Sequence, residues 1–136
     1  MKHIILATIG FFIGTIAVSF IWYVMFSSQY EATGLMELGY EEPSNYIIWY
    51  INILIIGIAL SYLYDYLSST KKVSVVMYVS ITGVLSWTWS VLSVLAWMWQ
   101  EIGNAIWLFT LLQTTLFILQ FAVYGLVLRW VYRHQP

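Results

Sequence analysis

Apolar residues dominate four stretches of this chain, residues 4–26, 45–67, 73–99 and 105–132. Each is at least as long as the ~20 residues an α-helix needs to cross a ~30 Å hydrocarbon layer. Within each stretch the small and polar residues recur every three or four positions, which at ~100° per residue gathers them on one face of a helix. In the third stretch Gly83, Ser86, Ser90, Ser93 and Trp97 form such a line, with Glu101 at its edge. In the fourth the line is Thr110, Gln113, Phe117, Gln120 and Tyr124; in the second it is Tyr50, Leu54, Gly57, Ser61 and Asp65. The first carries a small-residue seam, Ala7, Gly10, Gly14 and Ala17, beside a polar line of Thr15, Ser19 and Trp22.

These patterns predict an all-α polytopic membrane protein, a four-transmembrane-helix antiparallel bundle forming one domain over residues 1–136. Lipid tails give helices no hydrophobic reason to associate, so small residues that let backbones approach mark the contacts. Gly10, Gly14, Gly57, Ser61, Gly83 and Ser93 are the expected packing positions. The link Glu101-Ile102-Gly103-Asn104 is so short that the third and fourth helices must be antiparallel neighbours. The serine line of the third is therefore expected to face the amide line of the fourth. Lys2, the apolar run and Ala17-Val18-Ser19 also suggest a signal peptide, but the run is long for one, and an uncleaved first span is expected.

Composition excludes the soluble class. The chain is 62% hydrophobic and 8% charged, against roughly half and a quarter in soluble domains. Its charges are segregated. An even number of spans places Lys2, Lys71, Lys72, Arg129 and Arg133 on one side, which the positive-inside rule makes cytoplasmic, together with both termini. Glu31, Glu37, Glu41, Glu42 and Glu101 fall on the other side. Four of them lie in the long connection, residues 27–44, expected to be a solvated acidic loop with a short surface helix over 29–38. It lacks the spacing of a calcium loop. Trp22, Trp49, Trp97, Trp99 and Trp107 come near the outer interface and Trp130 near the inner one, as indoles prefer. Asp65, near the end of its span and close to Lys71 and Lys72, reads as a boundary or pairing residue.

The polar groups expected near mid-depth are Thr15, Ser19, Ser86, Ser90, Gln113 and Gln120, with Trp87 and Trp89 beside them. None carries a charge. The plain reading is that they satisfy one another across the bundle. The sharper reading is a neutral, Trp-lined pocket that binds a ligand. Cation-coupled exchange wants an ionisable group inside a span, and the middles of all four are uncharged. No lysine is buried for a Schiff base, there is no cysteine, and the two histidines, His3 and His134, lie near the two ends. No metal, no cofactor and no catalytic residue is therefore expected, and no serine has a base beside it to make it a nucleophile. No nucleic-acid partner is expected either.

Trp22-Tyr23 closing a Gly-bearing first span, the following Phe26, a loop ending in Leu38-Gly39, and Gly125 to Trp130 near the end of the last span resemble a family of small four-span bacterial membrane proteins. That family is classed only as a domain of unknown function. The proline expected soon after Trp22-Tyr23 is missing. The resemblance implies a four-helix fold in a bacterial inner membrane and no particular activity. The expected role is non-enzymatic: binding a small uncharged or amphipathic molecule inside the bundle, or passing it through as a homo-oligomer. The alternative is an accessory subunit whose Gly10/Gly14 and Ser86/Ser90/Ser93 faces dock other membrane helices, and a membrane enzyme comes third.

Overall fold

Each apolar stretch forms one long helix: α1 (Lys2–Glu31), α2 (Pro43–Lys71), α3 (Val75–Ile102) and α4 (Ile106–Val131). The computed structural model describes residues 1–33, 43–71, 73–102 and 105–133, and side chains throughout these except at 43–45 and 97–102. All four helices are long and apolar enough to cross a membrane, and no strand occurs among the described residues. At 26 to 30 residues and ~1.5 Å per residue, each exceeds the ~30 Å core, so its ends reach the headgroup layers.

The first helix is longer than its apolar run. Its backbone leaves helical geometry at Phe26 (φ −121°, ψ 22°) and then resumes to Glu31. Residues 27–31 are thus a kinked extension of α1, not the start of a loop, and the surface helix expected over 29–38 loses its first turn to it. A hydrogen bond explains the extension: Tyr30 turns back, and its hydroxyl accepts from Trp22 Nε1 at 3.2 Å. Glu37, Glu41, Glu42, Lys72, Gly103, Asn104 and His134 lie outside the described residues, as do the side chains of Trp97, Trp99 and Glu101.

The first and last helices form the central pair. A Cβ placed on Gly10 would collide with Val127, and one on Gly14 would lie 2.9 Å from Val123 Cγ1. Farther along, Gln120 Nε2 donates to Ser19 Oγ at 2.8 Å. Positions on α4 fall as those on α1 rise, so the pair is antiparallel. The Gly-x-x-x-Gly seam is spent on this intramolecular contact. The second helix lies against α1, where Gly57 admits Phe11 at 2.9 Å from a notional Cβ and its carbonyl accepts from Thr8 Oγ1 at 3.4 Å. The third lies against α4 through Gly83 and Phe121, Trp87 and Thr114, and Val91 and Phe109.

One end of this bundle is basic. His3 Nδ1 faces the Val131 carbonyl at 3.2 Å, so the start of α1 and the end of α4 share that end, along with Lys2, Arg129 and Arg133. All four helices meet there around tyrosines. Tyr64 packs 5.0 Å from Tyr78 and 4.9 Å from Tyr132 between ring centroids. Tyr78 OH donates to the Leu60 carbonyl, Ser61 Oγ and Tyr124 OH are 3.2 Å apart, and Phe11 meets the edge of the Tyr124 ring at 4.9 Å. The hydroxyls of Tyr78, Tyr124 and Ser61 thus have partners, as a low-dielectric interior favours. This plug is the core of the molecule.

Candidate functional site

Burial along the polar line of each helix falls at a common level, although Tyr30, Val91, Phe109 and Leu112 remain buried beyond it. On α4 Tyr124 is 1% exposed and Gln120 is buried, whereas Phe117, Gln113 and Thr110, on the same face, are half-exposed. On α1 Phe11 and Thr15 are buried and Ser19 and Trp22 are half-exposed; on α3 Tyr78 and Thr82 are buried and Ser86, Ser90 and Ser93 are half-exposed. The line Tyr64, Ser61, Gly57 and Ile53 on α2 is buried, and Tyr50 beyond it is exposed. The polar lines are therefore sealed at the basic half and partly exposed, as a crevice, at the other, where Val91 and Phe109 still close α3 on α4. Bulky tyrosines fill the first half, while half-exposed serines and amides line part of the second.

The crevice is neutral and polar. Gln113 Nε2 reaches Tyr30 OH at 3.4 Å, and Gln120 Nε2 holds Ser19. Trp87 Nε1 donates to Thr114 Oγ1 at 2.9 Å, and that hydroxyl donates onward to the Thr110 carbonyl at 2.7 Å. Ser93 Oγ is turned back on the Ser90 carbonyl at 3.0 Å. At the deep end, the Thr15 hydroxyl is buried with no hydrogen-bond partner among the described residues. A buried hydroxyl left unpaired costs on the order of 1–3 kcal/mol.

The eight residues expected at mid-depth separate into groups. Thr15, Ser19 and Gln120 lie at the α1–α4 contact, Gln113 joins them through Tyr30, and Trp87 belongs to the α3–α4 contact. The amide line of α4 thus reaches α1, not the serine line of α3 as expected. The reason lies in α1: its glycine seam draws it close enough to α4 for Ser19 and Tyr30 to take the amides. Ser86 and Ser90 are half-exposed, without a side-chain hydrogen bond to another helix among the described residues. Trp89, expected as a wall of the same pocket, is 81% exposed and turned away from the bundle.

Among the described residues Asp65 is held by a hydroxyl: Tyr132 OH donates to its Oδ1 at 3.0 Å. The polar lines read from the sequence do not include Tyr30, Tyr64, Tyr78 or Tyr132 as site residues, although Tyr64 and Tyr78 continue the lines of α2 and α3 by one turn. The available signal was depth, since Tyr64, Tyr78 and Tyr132 all come near the basic end, where a buried phenol needs a partner. No family model, curated protein or solved structure matches the chain.

Proposed function

We propose that this protein binds a small uncharged or amphipathic molecule in the half-open crevice, as a membrane protein without catalytic activity. The burial gradient supports this most strongly: Tyr124 is sealed, while Gln113 and Phe117 on the same face of α4 are not. A crevice lined by Ser19, Ser86, Ser90 and Gln113 offers donors and acceptors but no charge, which suits hydroxyl or amide head groups and disfavours ions. With its basic end cytoplasmic by the positive-inside rule, in a bacterial inner membrane, the crevice would open toward the outer face. Monoacylglycerol, a neutral amphiphile with two free hydroxyls, is a suitable probe. Titrated into the purified protein, it should change tryptophan fluorescence saturably, and Trp87→Phe should reduce the change. A linear response identical in both proteins would contradict the proposal.

The subunit reading is favoured by a separate observation. The Trp89 indole is largely exposed beside Leu85 and Leu92, with no hydrogen-bond partner among the described residues. A neighbouring chain seated on that face would cover it. Crosslinking at Leu85 or Leu92 in membranes separates the two readings, because ligand binding in the crevice needs no neighbour there.

A further inference from the structure

A cleft lies at the basic end, outside the crevice. It has a volume of about 500 Å³ and is lined by Lys2, His3, Leu6, Trp130, Val131 and Arg133. A second cleft of about 410 Å³ adjoins it and shares Trp130 and Arg133, adding Leu126 and Arg129. No ion pair among the described residues neutralises Lys2, Arg129 or Arg133, and the carboxylate of Asp65 at this end is held by Tyr132.

The chemistry changes with depth. Leu6 lies about one turn below Lys2 on α1, and Leu126 about one turn below Arg129 and Trp130 on α4. The cations thus crown the cleft at the helix ends, and exposed apolar side chains continue it toward the hydrocarbon. An indole stands between these layers, at the depth where its apolar body and N–H are both accommodated. The floor is fixed: with its Nδ1 against a carbonyl, His3 must donate from that atom to Val131, and its ring lies 5.4 Å from that of Tyr132.

We infer that this double cleft is a binding site for an anionic phospholipid, with the phosphate between Lys2, Arg129 and Arg133 and the acyl chains along Leu6, Leu126 and Trp130. A free phosphate would use the cations alone and leave the apolar walls idle, so the shape favours the lipid. Arginine adds geometry, since its planar fork grips phosphate oxygens in pairs.

The test uses the full chain reconstituted in nanodiscs of phosphatidylcholine, with phosphatidylglycerol titrated in and retained lipid counted by native mass spectrometry. The parent should hold phosphatidylglycerol at least ~tenfold more tightly than the Lys2→Ala/Arg129→Ala/Arg133→Ala variant, following the contribution of each basic residue near an anionic lipid. Lys71→Ala, which removes an exposed cation at the same end but outside the cleft, should bind as the parent does. All three changes lie on exposed side chains, and circular dichroism verifies the helices in each variant. Equal loss in Lys71→Ala would reduce the effect to surface charge and overturn the site. Displacement of the lipid by millimolar inorganic phosphate would also overturn it, in favour of a simple anion site, as would undiminished binding in the triple variant.

Discussion

Tyr132 OH donates to Asp65 Oδ1 at 3.0 Å, joining the ends of α4 and α2 although these helices are not the closest neighbours in the bundle. Removing the donor while keeping the ring, Tyr132→Phe, should cost ~0.6–2 kcal/mol, the range for polar contacts in membrane bundles. Asp65→Asn keeps an oxygen acceptor and should cost less than Asp65→Ala. Unfolding midpoints in mixed detergent micelles measure the series.

The glycines predict a graded response. Gly10→Ala and Gly14→Ala each push a methyl into valine side chains of α4 and should destabilise by ~1–3 kcal/mol through overpacking. At Gly125 the nearest atom, Val79 Cγ2, is 3.5 Å from the added carbon, an ordinary contact, so Gly125→Ala should be neutral or slightly stabilising. The same unfolding assay should rank Gly10 worst and Gly125 mildest. A flat series would mean that the α1–α4 approach is not as close as described.

Thr15→Val should stabilise the bundle or leave it unchanged, by up to ~2 kcal/mol, because it removes a buried hydroxyl that has no partner. Most polar-to-apolar changes at packed positions do the reverse. A clear loss of stability would show that the hydroxyl has a partner, such as a bound molecule, and a matching loss of monoacylglycerol binding would locate that molecule at the deep end.

Ser61 and Tyr124 are coupled across 3.2 Å in the most buried part of the plug. Ser61→Ala, Tyr124→Phe and the double variant should therefore be non-additive, with an interaction of ~0.6–1.7 kcal/mol. Strict additivity would remove this pair from the account of what closes the basic half.

Hydropathy made the four helices legible, because a span must be long and apolar whatever surrounds it. Periodicity then showed which residues share a face, as with Gly10 and Gly14, but not which helix that face meets. Chain adjacency correctly paired α3 with α4, yet it misdirected Gln113 and Gln120, which turn to Tyr30 and Ser19 on α1. Likewise Trp89 lies beside Ser90 in sequence but 100° away around the helix, enough to send its ring outward. The tyrosine plug escaped notice because it is tertiary: Tyr64, Tyr78 and Tyr132 come from three helices, and no single stretch reveals their meeting. Whether the bundle is open or shut at a given depth depends on how helices splay, which residue spacing does not encode.

The difference between the two halves can be measured without building a background, since the chain has no cysteine. Ser90→Cys and Gln113→Cys place thiols in the crevice, and Ser61→Cys places one in the plug. With a membrane-impermeant, water-soluble maleimide, the first two should label at least ~tenfold faster than the third and be protected by monoacylglycerol. Equal labelling of Ser61→Cys, or crevice thiols as inert as the plug, would contradict polar lines sealed at one half and partly exposed at the other.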